Sequence, residues 1–208
     1  MSTAEEILDK LYPDAAPALR FRSPYELLVA VILSAQCTDE RVNKVTAELF
    51  REHNTPQSML SLSQEQLERY IFSCGFYHNK AAHILSASRD ILEKFGGEVP
   101  STLEELRTLA GVGRKTANVV YAVAFGGDAI AVDTHVNRIA HRLMLSPKTH
   151  AKEPLKTEQD LLKILPHEYW ESVNHQWITF GREICDARKP KCDECPLADL
   201  CPSVRVAG

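Results

Sequence analysis

Leu109-Ala110-Gly111-Val112-Gly113-Arg114-Lys115-Thr116-Ala117 places two glycines, one residue apart, between two stretches of helical apolar spacing. Glycine lets a backbone turn tightly and come close to another molecule. The helix beginning after Gly113 offers unpaired N–H groups and the positive end of its dipole, which together suit a phosphate. Lys115 falls in the first turn of that helix. Most helix-surface lysines are merely solvated. This one faces the positive dipole end, an unusual place for a cation, and an amine beside a bound phosphate can act as a Schiff-base-forming nucleophile.

Outward from this hairpin the chain reads as helical on both sides. Ile7, Leu8 and Leu11 form a short stripe ended by Pro13. Pro24 opens the run Leu27-Leu28-Val29-Ala30-Val31-Ile32-Leu33, which periodicity alone cannot separate from a buried strand. The pattern continues at helical spacing through Val42, Val45, Leu49 and Phe50, so two helices are expected, with a break near Gln36–Asp39 and Thr38 or Asp39 as cap. Ser63 with Gln66 predicts a capping box for a helix over 63–74. Further helices are expected over 80–95, from a Ser101–Glu104 capping box to Gly111, over 114–125, after Asp133, over 161–165 and over 170–184. Residues 146–157 read as a loop. No run alternates well enough to predict a sheet, so the expected class is all-α.

Composition bounds the possibilities. The chain has 208 residues, 44% hydrophobic and 25% charged, ordinary values for one large or two small soluble domains. No stretch approaches the roughly 20 apolar residues of a membrane span. The start, Met1 to Glu6, has neither the basic beginning nor the apolar core of a signal peptide, so a cytoplasmic address is expected. A net charge of -4 argues against a uniformly basic surface but leaves room for local phosphate contacts. Arg182, Arg188, Lys189 and Lys191 form one such patch; Lys148, Lys152 and Lys156 read as solvated surface.

Four of the six cysteines crowd the C-terminus as Cys185-x6-Cys192-x2-Cys195-x5-Cys201. Interleaved prolines at 190 and 196 argue against core packing, and a chain without a secretion signal argues against disulfides. Four thiolates suit tetrahedral zinc or an iron–sulfur cluster. Only one Cys-x2-Cys pair is close, and the longer gaps favour a [4Fe–4S] cluster over zinc. Cys37 and Cys74 read as buried small hydrophobes. Asp133, in Asp133-Thr134-His135-Val136, reads first as a helix N-cap. A second role requires it to face Lys115.

The hairpin with Lys115, the segment Val132-Asp133-Thr134-His135 and the four-cysteine tail, in this order and spacing, resemble endonuclease III, a family of the helix-hairpin-helix DNA glycosylase superfamily. Leu33-Ser34-Ala35-Gln36 is similar to that family's segment near DNA. The resemblance runs from about Pro24 to Cys201. It implies a two-lobed all-α fold with a six-helix barrel lobe at about 22–130. The second lobe, 1–21 with 131–208, carries a [4Fe–4S] cluster on Cys185, Cys192, Cys195 and Cys201, and DNA lies across the cleft. It implies a DNA glycosylase and AP lyase that removes oxidised pyrimidines during base excision repair. Its partner would be double-stranded DNA with damaged bases or abasic sites, bound by a monomer without a membrane.

Lys115 is then the nucleophile and Asp133 the catalytic carboxylate. Gln36 fills the gap left in the duplex, and Phe76 sits where an apolar wedge is expected. Gly111, Val112, Gly113, Arg114 and Thr116 hold backbone phosphate, and Arg188, Lys189 and Lys191 supply further phosphate contacts. The plainer readings are a polar loop residue for Gln36 and a core aromatic for Phe76. Three residues depart from the family pattern: Ala110 replaces a usual proline, Cys37 a usual alanine and Phe76 a usual leucine. Two competing functions are an adenine mismatch glycosylase of the same superfamily and a non-catalytic DNA-binding protein with a structural metal. Lys115, and the end at Gly208, weigh against the first.

Overall fold

The structure, a computed structural model, describes residues 3–206. Every regular element among them is helical. The chain divides into two compact units, Ala18–Gly127 and Met1–Pro17 with Asp128–Gly208. Helix α1 (Ala4–Leu11) belongs to the latter, and its start carries a reciprocal Thr3–Glu6 capping box.

The Ala18–Gly127 unit is organised around α2 (Pro24–Ser34). Residues 25–33 are all buried, and a helix apolar on every side belongs inside a core. Burying each Leu, Ile or Val there stabilises the fold by about 1.5–3 kcal/mol relative to exposure. Its polar members are satisfied. Glu26 Oε2 accepts from the Arg22 amide at 2.7 Å. Ser88 donates to the Ile84 carbonyl, so at 2.6 Å the Tyr25 hydroxyl donates to Ser88.

The other helices of this unit are α3 (Asp39–Leu49), α4 (Pro56–Met59), α5 (Gln64–Ile71), α6 (Tyr77–Lys94), α7 (Leu103–Leu106) and α8 (Arg114–Phe125). Thr38 caps α3, and the Ser63–Gln66 box caps α5, as their sequences predict. α6 begins three residues earlier than expected, because Phe76 itself adopts a left-handed conformation that turns the chain into the helix. The expected Ser101–Glu104 box shifts by one residue: Thr102 accepts from the Glu105 amide, and α7 closes after one turn instead of reaching Gly111. The single-turn α4 escaped the sequence reading, since four residues carry no periodicity. On α8 the buried face is Ala117, Asn118, Val120 and Ala122, and Val123 and Ala124 are only partly covered.

One buried charge is structural. Lys80 on α6 is 5% exposed, and its Nζ donates to the Leu33 carbonyl at 2.8 Å. That carbonyl is one of the last four of α2, which lack intrahelical donors, so the lysine caps α2 from another helix.

The second unit packs α1 with α9 (Thr134–Arg142), α10 (Pro154–Ile164) and α11 (Trp170–Glu183). Its core joins Leu8, Ile130, Val136, Ile139, Leu161, Val173, Trp177 and Phe180. Gln176 on α11 donates to Asp9 at 2.9 Å, and Tyr12 donates to Glu183 at 3.0 Å, which ties the N-terminal segment to this core. Buried Asn174 donates to the Ala131 carbonyl at 2.7 Å, giving that extended segment a partner a sheet would otherwise supply. The expected loop 146–157 is partly helical: a 3-10 turn covers Lys148–His150 and α10 starts at Pro154. Proline at the first helical position opens a helix instead of breaking it. Among the described residues no helix is long and apolar enough to cross a membrane.

Candidate active site and metal centre

The hairpin forms as a tight turn, with the Val112 amide donating to the Leu109 carbonyl at 3.1 Å. Gly111 has φ +75, and a Cβ there would lie 2.9 Å from the Cβ of His83, so both conformation and packing require glycine. Gly113 is different. Its φ of -80 suits any residue, but nothing lies within 4 Å of where its Cβ would stand. It begins α8 without a side-chain cap, so the first amides of the helix receive no protein acceptor from that position. Gly111, Gly113 and Lys115 are exposed, Arg114 and Thr116 half-buried, and Val112 anchors the turn in the core.

Asp133 is the N-cap of α9. Its Oδ1 accepts from the His135 and Val136 amides, each at 2.8 Å, and Oδ2 takes no part in the cap. The half-buried carboxylate thus has one oxygen held by the backbone and one left for other chemistry.

Gln36 and Phe76 are exposed at turn tips, both with left-handed backbones, φ 54 and φ 58. Non-glycine residues hold that conformation at a cost of about 1–3 kcal/mol, and such strain clusters at functional sites. Phe76 is 64% exposed, which removes the reading of it as a core aromatic. The two tips are neighbours: a Cβ on Gly75 would lie 3.7 Å from the Gln36 carbonyl oxygen.

Cys185, Cys192, Cys195 and Cys201 line one cavity of about 180 Å³, together with Arg142, Pro190 and Val204. Among the described residues no three His, Cys, Asp or Glu side chains converge on a point that could hold a single metal ion. Burial, and then the neighbouring Cys185, Cys201 and Cys192, push the Cys195 thiol up. Thiolates gathered at this place need a bound cationic centre to offset their charge.

Two arginines that the sequence reading passed over hold the loop following Cys185. Arg138 donates to the carbonyls of Gly181 at 3.0 Å and Cys185 at 2.9 Å. Arg142 donates to the Asp186 and Ala187 carbonyls at 2.7 and 3.0 Å. They stand four residues apart on α9, opposite its apolar stripe, a spacing that looks in sequence like a solvated face. The Asp186 carboxylate, held below its usual range chiefly by the Lys189 and Arg188 amides, turns the loop so that Arg188, Lys189 and Lys191 are exposed.

Residues 29–167 match the HhH-GPD superfamily of base excision DNA repair proteins, which defines the class of this protein. Residues 185–201 match the iron-sulfur binding domain of endonuclease III. Endonuclease III of Synechocystis is 51% identical over 202 residues, spanning 97% of this chain and 91% of that protein. The Escherichia coli K12 protein of the same name is 46% identical, spanning 94% and 93%. A solved structure of a trapped endonuclease III–DNA covalent intermediate superposes with a TM-score of 0.92 at 45% identity, covering 100% of this chain and 99% of that one. A thermostable thymine-DNA glycosylase has a TM-score of 0.83 at 25% identity, covering 96% and 94%. The chain belongs to the endonuclease III family. The all-α glycosylase fold, the DNA glycosylase and AP lyase activity and the [4Fe–4S] cofactor implied by the sequence are those of this family.

Proposed function

We propose that this chain excises oxidised pyrimidines from duplex DNA and nicks the strand at the abasic site, with Lys115 as nucleophile and Asp133 as the catalytic carboxylate. The observation that carries the assignment is the position of Lys115: exposed, in the first turn of a helix without a side-chain cap, two residues beyond a glycine that faces open space. A DNA phosphate at the start of α8, which has no side-chain cap, brings a sugar beside the amine.

The target base must leave the stack to be reached. Lys115 Nζ then attacks the sugar C1′. The glycosidic bond breaks, and the base departs with its electron pair and takes up a proton. Opening of the sugar ring gives a Schiff base to Lys115. Removal of a C2′ proton expels the 3′ phosphate by β-elimination and nicks the strand. Oδ2 of Asp133, outside the helix cap, stabilises positive charge developing on the sugar and assists proton transfer.

Gln36 occupies the vacated space in the duplex and Phe76 wedges the stack. Their neighbouring exposed tips support this pairing. We assign the barrel lobe to the Ala18–Gly127 unit and the cluster lobe to the other. Cys185, Cys192, Cys195 and Cys201 hold the cluster, whose contribution is to shape the loop presenting Arg188, Lys189 and Lys191 to phosphates. A single chain supplies every one of these groups, so the enzyme acts as a monomer, and its expected location is the cytoplasm.

The test is borohydride trapping on duplex DNA carrying an oxidised thymine. A covalent adduct that disappears in Lys115→Ala is the expected result. Absence of any adduct across several pyrimidine lesions would leave a non-catalytic DNA-binding protein as the better reading.

A further inference from the structure

Cys37 and Cys74 lie far apart in sequence yet side by side in the fold. Each thiol lies within electrostatic reach of the other, and a Cβ on Gly75, next to Cys74, would lie 3.7 Å from the carbonyl oxygen of Gln36, next to Cys37. Cys74 is fully buried, whereas Cys37 is half-exposed in the turn after α2. Buried Lys80 reaches both thiols electrostatically while its Nζ holds the Leu33 carbonyl at 2.8 Å. The mechanism uses none of these three groups. Cys37 directly follows Gln36, and Cys74 precedes Phe76 by two residues, so each thiol sits at the root of one exposed tip.

We propose that Cys37 and Cys74 are a peroxide-responsive dithiol whose disulfide form locks the Gln36 and Phe76 tips together and weakens DNA binding. The effect on DNA rests on the insertion role assigned above to those two residues. The Cys37 thiolate attacks hydrogen peroxide, an S–O bond forms, the O–O bond breaks and hydroxide leaves as water. The Cys74 sulfur then attacks the Cys37 sulfenic acid; an S–S bond forms, the S–O bond breaks and a second water leaves with the Cys74 proton. Two thiols are oxidised and one peroxide is reduced. The Lys80 ammonium, with three N–H donors and one committed to Leu33, can stabilise the first thiolate.

The division of labour follows from burial. Burial, and then the Cys37 neighbour, push the Cys74 thiol up to about 11, so it stays protonated and waits as the resolving partner. Cys37 alone is open to solvent. Cys74 is fixed in the core, so bond formation draws the Cys37 turn inward, and Gln36 moves with it.

The test treats holoenzyme with hydrogen peroxide, follows the visible absorption of the cluster to confirm that it survives, and maps peptides by mass. Expected are a Cys37–Cys74 linked peptide and a loss of affinity for a duplex with an abasic analogue, both reversed by dithiothreitol and both absent in Cys37→Ala. A missing linked peptide overturns the proposal, as does the same loss of affinity in Cys37→Ala, since that loss would come from the cluster. Gln36→Ala in reduced protein probes the insertion role separately: unchanged affinity there defeats that role, while the linked peptide still reports on the dithiol.

Discussion

Arg142 grips Cys185 twice. Its Nη1 stands 3.2 Å from the Cys185 carbonyl oxygen and 3.1 Å from the Cys185 sulfur. The same residue's own carbonyl accepts from Ser203 at 2.8 Å and lies 3.5 Å from the Cys201 sulfur. One residue of α9 therefore contacts the first and the last of the four cysteines. Hydrogen bonds to a ligand sulfur orient it and tune the metal group, and losing such a partner typically costs 10–100-fold in metal affinity or activity. Arg142→Lys keeps the charge but loses the planar fork. We expect it to lose its cluster at least about tenfold faster under a chelator, followed by the decay of visible absorption. Equal cluster lifetimes would show that the contact to Cys185 is incidental.

Asp133→Asn separates the cap from the chemistry. Asparagine caps as well as aspartate, whereas alanine costs about 1 kcal/mol. The melting temperature of Asp133→Asn should therefore stay close to that of the parent, while base excision in single-turnover assays falls by about 10²-fold or more. If activity and stability are both retained, Asp133 is a cap and nothing else.

Gly181 is a helix-interior glycine where alanine should harm. Alanine ordinarily gains about 1 kcal/mol at such a position. Here a Cβ would lie 2.7 Å from His135 Nδ1 and 2.8 Å from Arg138 Nη2. The contact forces α9 from α11 and disturbs the arginine that holds the cluster loop. Gly181→Ala should lower stability by about 1–3 kcal/mol in urea unfolding, with cluster loss accompanying it. A stabilised variant would contradict this packing.

The His135 ring makes part of the stability depend on pH. Burial, aided by Arg138 and Arg182 and opposed by Asp133, holds its pKa below the usual histidine value. Arg138 Nη2 donates to Nδ1 at 3.1 Å, which requires a neutral ring. The unfolded chain therefore binds more protons than the folded one, so this contribution is intact above the unfolded value of about 6.5 and is lost as pH falls through it. Unfolding midpoints should drop between about pH 7 and pH 5, and drop less in His135→Gln. Parallel curves for the two proteins would rule this out.

Neutralising Arg188, Lys189 and Lys191 together should weaken DNA binding at all sequences and flatten its salt dependence. Each lost phosphate contact reduces the slope of log affinity against log salt by about 0.9. An unchanged slope in fluorescence anisotropy titrations would place these side chains off the DNA.

The features that the sequence carried openly are those set by neighbours along the chain. The Thr38 cap, the Ser63–Gln66 box and the Asp133 cap each use a side chain and an amide two or three residues away. The Cys185–Cys201 spacing is local in the same sense. Where two local solutions competed, the reading slipped by a residue, as at Thr102, or missed a single turn, as at Pro56–Met59.

By itself, then, the sequence determined an all-helical chain, a glycine hairpin feeding Lys115 into the start of α8, and a thiolate set suited to an iron–sulfur cluster. Short-range hydrogen bonding and apolar periodicity suffice for all three. Only the tertiary structure decided that Lys80 is buried against Leu33, that Arg138 and Arg142 hold the cluster loop, and that Cys37 meets Cys74. Each of these joins residues dozens of positions apart. Such pairs are chosen by how apolar faces pack, and a charged or thiol side chain bears no mark in sequence of which distant carbonyl or sulfur it will face.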